Sequence, residues 1–226
     1  MTSQAPSQKA PEQLYHTVLT VIDYHEDSSG ATRSVYVLGT HCTLDAATTY
    51  ALQSLEKLSF TPREFQDYEV RLTDGGRWKH GDDVLVFACA PSGQVFLVGI
   101  ETTPNDNLLA GRCDGEIVLP KGARTLYYVL HTTADYTVGC LGSAQITRVI
   151  GSYGYRAEAQ AAARKCLDPQ QFFEYSIKED EATMEQWPFD QDVIIFALTD
   201  TGQAHYVAVK TLPWVNAEKT EETDTY

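Results

Sequence analysis

Leu14-Tyr-His-Thr-Val-Leu-Thr-Val-Ile-Asp-Tyr24 is answered 112 residues later by Leu126-Tyr-Tyr-Val-Leu-His-Thr-Thr-Ala-Asp-Tyr136. The match runs on without a gap, so that residues 14–55 lie over 126–167 with 11 of 42 positions identical. Residues 78–104 lie over 187–213 at an offset of 109, with 10 identities in 27. Between these blocks Thr61-Pro-Arg-Glu-Phe-Gln-Asp-Tyr68 answers Asp168-Pro-Gln-Gln-Phe-Phe-Glu-Tyr175. Self-similarity of this kind decides the architecture before any single element is read. One module is used twice.

Each copy opens on a run rich in Val, Ile, Thr and Tyr, residues 14–24 and 126–136, as strands prefer. A glycine loop (Gly30, Gly142) leads to a second strand over residues 34–41 and 146–153. Helical spacing follows at Ala47, Ala51, Leu55 and Leu58, with Thr43 placed to cap residues 44–58. Its counterpart, residues 155–167, is rich in Ala and stops at Asp168-Pro169. A third strand is expected near residues 65–72 and 172–178. Hairpins close each copy: residues 84–90 and 94–100 around Pro91-Ser-Gly93, and residues 193–198 and 203–209 around Asp200-Thr-Gly202. The first arm is apolar without alternation, which predicts cover on both faces, by a helix and by the sister module.

The module is therefore ββαβββ, and the fold class α+β. The tandem duplication is expected to pack as a pseudo-twofold intrachain dimer, through face-to-face sheets or one continuous sheet or barrel. The expected divisions are a disordered leader (1–13), module 1 (14–104), a linker (105–125), module 2 (126–214) and a disordered acidic tail (215–226). Only residues 116–119 of the linker read as a possible short strand.

The runs Leu126 to Tyr136 and Trp187-Pro-Phe-Asp-Gln-Asp-Val-Ile-Ile-Phe-Ala197 resemble those of uncharacterised filamentous-fungal proteins built from the same repeated module. The resemblance covers residues 14–213. It implies a kingdom and no activity.

The formal net charge of the 226-residue chain is −14, and it is spread out: −6 over residues 14–104, −5 over 126–213 and −3 over 214–226. Two acidic modules lack the basic footprint that a phosphate backbone requires. Nucleic acid and anionic membranes are excluded as partners on that ground, while a basic partner protein is not. No stretch approaches the roughly 18 apolar residues needed to span a bilayer, and residues 1–12 have no apolar signal core. A cytoplasmic location is expected. The five cysteines (Cys42, Cys89, Cys113, Cys140, Cys166) form no Cys-x-x-Cys, and none has a cysteine counterpart in the other copy. Reduced thiols are the simplest assignment.

Among residues shared by the copies, Asp23 and Asp135 stand out, each ending a first strand. A pseudo-twofold that joined them would let two carboxylates share a proton, one acid and one base. The Asp-Thr-Gly or Asp-Ser-Gly of duplicated aspartic peptidases is absent, and a loop cap is the commoner use of such an Asp. No two of the six histidines fall at the i, i+4 spacing of a helical metal site. His41-Cys42 cannot act as a pair on a strand, where neighbours point to opposite faces. Nucleophile-elbow, P-loop and dinucleotide glycine motifs are absent. No catalytic residue, metal site or cofactor is assigned.

Divergence between the copies is more informative. His41-Cys42 becomes Tyr153-Gly154, Phe96 becomes His205, and Asn105 becomes Trp214. Unequal halves can turn a symmetric groove into one asymmetric site. The candidate binding residues are Asp23, Asp135, Tyr153, Tyr155, His205 and Trp214. The favoured expectation is a non-enzymatic binding or interaction protein whose inter-module cleft accepts a peptide, protein segment or small molecule. The rival is an enzyme, a hydrolase or isomerase, that uses Asp23 or Asp135 with a neighbouring His or Tyr.

Overall fold

The structure, a computed structural model, describes residues 10–71, 78–135, 145–179 and 187–213. The first copy contains β1 (Gln13–Asp23), β2 (Arg33–His41), α1 (Leu44–Lys57), β3 (Asp67–Val70), β4 (Val84–Cys89) and β5 (Gln94–Pro104). A short hairpin of β6 (Ala110–Gly111) and β7 (Ile117–Val118) follows. The second copy contains β8 (Tyr127–Asp135), β9 (Gln145–Tyr153), α2 (Arg156–Ala163), β10 (Glu174–Ile177), β11 (Val193–Leu198) and β12 (Gln203–Lys210). A single 3-10 turn, Pro62–Glu64 or Pro169–Gln171, precedes β3 and β10.

The two copies build the same sheet. One runs β2-β1-β5-β4-β3, and the other, read in the same sense, β9-β8-β12-β11-β10. All pairings are antiparallel. The irregularities are duplicated too: the bulge at Thr17/Val18 recurs at Val129/Leu130, and that at Val84/Val86 at Val193/Ile195. A bulge sets strand bend and twist, so the two sheets are shaped alike as well as ordered alike.

Alternation along the strands divides each sheet into two apolar faces. In module 1, Leu19, Leu38, Val86, Ala88, Phe96 and Val98 pack with Ala51 and Leu55 of α1. Val18 and Val37 face the other way and join Leu126, Tyr128, Leu130 and Val149 of the second copy. In module 2, Val129, Ile195, Ala197, Val207 and Val209 pack with Ala159 and Ala163 of α2. The faces turned away from the helices therefore meet in one shared cluster.

Both helices seat alanines against the sheet, where small side chains allow close approach. α1 starts at Thr43, whose hydroxyl accepts from the Ala46 N–H. Thr43→Ala is expected to cost about 1 kcal/mol in urea unfolding, the usual value of an N-cap. α2 starts at Tyr155, which gives no side-chain cap, and it ends at Ala163 instead of the expected residue 167. Its last turn tightens: Lys165 N–H bonds Ala162 O and Cys166 N–H bonds Ala163 O, a three-residue step. The proline ahead is a stop, but the helix yields one turn earlier.

Two further expectations need correction. The linker holds a two-stranded hairpin, because Ala110–Gly111 pairs with residues 117–118. It also docks on module 1: Cys42 N–H bonds Gly115 O, and buried Asn105 donates to Pro11 O and Leu109 O while accepting from Leu109 N–H. The second face of the apolar hairpin arm is covered largely by aromatic residues that precede the hairpin in its own module. His80 stacks on Phe87 with Trp78 edge-on to His80, and Phe189 stacks on Phe196 with Trp187 edge-on to Phe189. The leader as far as residue 9 and the tail from Trp214 lie outside the described residues.

Candidate functional site

A cavity of about 540 Å3 lies between the copies. One wall is the outer strand β2 with its approach, including Arg33 and Tyr36. The floor is the helix-free face of the second sheet, including Thr132, Thr147 and Tyr206, and Lys210 lies at one end. Thr132 and Thr147 hydrogen-bond through their hydroxyls at 2.8 Å. Apolar lining comes from Val35, Leu130, Phe189 and Val193, with Asp190 beside them. A groove of this size, with polar and apolar lining in about equal measure, has the room of a ligand site and more polar groups than most.

The opposite side of the interface is closed. There the Glu101 carboxylate on β5 accepts from the Val149 N–H of β9 at 2.8 Å, with Arg148 Nη1 at 3.5 Å. Lys210 is the counterpart of Glu101 by sequence offset and by register, for Glu101 pairs with His16 and Lys210 with Tyr128, itself the counterpart of His16. A lysine cannot accept a hydrogen bond from the partner strand. The side on which Lys210 replaces Glu101 is the side with the groove.

Asp23 lies on a smaller depression of about 450 Å3 on the other side of β2. Its carboxylate accepts from Gln94 Nε2 at 2.7 Å, His25 N–H at 3.0 Å and Glu26 N–H at 3.2 Å. These bonds, Gln94 first, hold its pKa below the usual carboxylate range. That is the chemistry of a loop cap, not of a carboxyl that must share a proton. Asp135 ends β8 opposite Gln203, the register in which Asp23 faces Gln94.

Tyr153 ends β9, with its ring against Gly151. Tyr155 opens α2 and donates from its hydroxyl to Lys121 O of the linker at 2.7 Å. His205 is on the α2 side of the second sheet, 2.9 Å from His131 Nε2 through its own Nδ1 and edge-on to Phe172. Burial pushes the pKa of both histidines down. None of Asp23, Asp135, Tyr153, Tyr155 and His205 lines the inter-module groove, and Trp214 lies outside the described residues. The groove residues Tyr36, Thr132, Thr147, Tyr206 and Lys210 went unread, although the charge reversal between Glu101 and Lys210 is visible when the copies are aligned.

His16, on β1, is a fully buried polar group. Its Nδ1 is 2.9 Å from Thr40 Oγ1 and its Nε2 2.8 Å from Thr103 Oγ1, and Thr40 donates onward to the Tyr128 hydroxyl of the other copy at 3.1 Å. With Thr40 donating onward, His16 carries its proton on Nδ1, and Nε2 accepts from Thr103. His41, which lines a third cavity of about 350 Å3, has Nε2 3.7 Å from Glu116. Among the described residues no three His, Cys, Asp or Glu side chains converge as a metal site would need, and no helix is long and apolar enough to cross a membrane. No family model, curated protein or solved structure matches the chain.

Proposed function

We propose that this chain is a cytosolic, non-enzymatic binding protein, built as a pseudo-twofold intrachain dimer with one functional groove between its halves. On a twofold axis a residue meets its own equivalent. In keeping with that, the His16 ring is edge-on to its counterpart Tyr128 at 6.0 Å, and the Arg33 N–H donates to its counterpart Gln145 at 3.0 Å. The observation that carries the binding reading is the unequal interface: a closed side at Glu101 and an open one, about 540 Å3, at Lys210. The occupant is a small molecule or a peptide segment. Catalysis by Asp23 finds no support in a carboxylate tied to three donors.

A thermal-shift screen of metabolites and short peptides tests this, because a ligand that prefers the native state raises Tm by mass action. A hit that stabilises the native protein should fail with Thr147→Trp, which fills the groove floor, provided that circular dichroism shows the variant folded. A screen in which every hit acts equally on both proteins would sink the reading.

A further inference from the structure

We propose that the groove grips its ligand by a carboxylate, set between the Lys210 ammonium and the outward backbone N–H groups of β2. This rests on the groove being the binding site. The closed side of the interface supplies the template. There a carboxylate of the chain itself, Glu101, accepts from the outer edge of β9 at Val149, with Arg148 beside it. Val37 holds on β1 the register position that Val149 holds on β8, since Val18 pairs with Val37 and Leu130 with Val149.

The edge of β2 faces the same way. Arg33 N–H leaves its sheet to reach Gln145 of the other copy. Outward and inward N–H groups alternate along an edge strand. Residues 33–37 run without a shift in register, the bulge lying beyond Val37. Arg33, Val35 and Val37 therefore share one direction, the direction in which Val149 reaches Glu101. On this side the counterpart of the acceptor Glu101 is Lys210, itself a donor, and it lines the same groove as Val35, so the acceptor must come with the ligand. Charge-assisted bonds from a backbone N–H and an ammonium are the strong class for holding a carboxylate.

The rest of the groove limits what bears it. The charged residues lining it are Arg33, Lys210 and Asp190, one net positive charge. Asp192 lies close enough to Lys210 to feel it. A monoanion matches this balance better than a phosphate dianion. Tyr206, Phe189, Val193 and Val35 offer apolar and aromatic surface, which suits a flat or branched hydrocarbon body. The ligand is thus a monocarboxylate on an apolar body, free or as the C-terminus of an extended peptide.

Two matched pairs of probes separate these sources: 3-phenylpropionate against 3-phenylpropanamide, and acetyl-Val-Thr-Phe with a free against an amidated C-terminus. Calorimetric titration should give at least one acid binding ten-fold or more tighter than its amide. Preference confined to the peptide acid identifies a C-terminus as the source, preference confined to 3-phenylpropionate identifies the free acid, and equal preference in both pairs shows that the carboxylate alone is read. Lys210→Glu restores the internal acceptor, so acid binding should vanish while Tm holds or rises. Glu101→Lys, if folded, should gain a second site and raise the stoichiometry towards two. Amides that bind as tightly as acids, an unchanged Lys210→Glu variant, or no acid binding at millimolar concentration each overturn the inference. A neutral or cationic hit still blocked by Thr147→Trp would leave the groove reading standing without it. Hits indifferent to Thr147→Trp would remove both.

Discussion

Tyr128→Ala is expected to lose about 3–5 kcal/mol of unfolding free energy, the range for deleting a large buried ring. The side chain is 1% exposed and sits among Leu14, Val18, Val37, Leu126, Leu130 and Val149, a cluster drawn from both copies. Its hydroxyl is the far end of the chain from Thr103 through His16 and Thr40. Truncation opens a cavity at the interface and leaves the Thr40 hydroxyl without its acceptor. Tyr128→Phe separates the two effects, since it keeps the ring and should cost only about 1–3 kcal/mol for the unpaired hydroxyl. Urea titration of the three proteins measures both. A loss below about 1 kcal/mol for the Ala variant would mean that the shared cluster does not anchor one module to the other.

The elements were legible because local and global signals agree in this chain. β1, expected at residues 14–24, is Gln13–Asp23, and the first hairpin arm, expected at 84–90, is Val84–Cys89. Duplication supplied a second sample of each element, so a weak period in one copy was checked by the other. The failures have local causes. The linker hairpin is too short for a period, with two residues per strand, and it is held by docking contacts at Cys42 and Asn105 that no pattern within the linker announces. The second face of the hairpin arms is expected to lie under the sister module, but aromatics of the same module take much of it, and Trp78 and Trp187 carry no sign in the sequence of which face they will lie on.

The site was less legible than the fold. The residues that change type most between copies, such as Phe96 and His205, are the ones a comparison of the two sequences brings forward. Yet Phe96 packs against Phe60 and Phe65, and His205 likewise lies against Phe172, the counterpart of Phe65. That change stays inside each module, on the helix side of its sheet. Glu101 and Lys210 are opposite in charge where the modules meet, and only the packing of β9 against β5 gives this difference a consequence. Sequence comparison of the copies can flag such a pair. Weighing it requires knowing which sheet face looks at the other module.

Acidification should destabilise the protein steeply between neutral pH and pH 4, with His16 as the largest single source. The side chain is 0% exposed, and burial first, then the nearby His41, lowers its pKa from 6.5 to about 4. Its folded value lies below its unfolded one, so the unfolded chain takes the proton first. Above pH 6.5 His16 is neutral in both states and its full contribution is present; as pH falls towards 4 that contribution is lost. One proton costs about 1.4 kcal/mol per pH unit, which integrates to roughly 3 kcal/mol over the window. His41, His131 and His205 are shifted down by burial as well and add in the same direction, while Asp192, raised by burial, opposes them. His16→Gln keeps one donor and one acceptor for Thr40 and Thr103 but cannot titrate. Urea titrations across this range should give a variant whose stability falls less steeply, by about one proton's worth of slope. Parallel curves for the two proteins would show that the proton is taken up elsewhere, and that the polar thread across the interface tolerates a charge its burial ought to forbid.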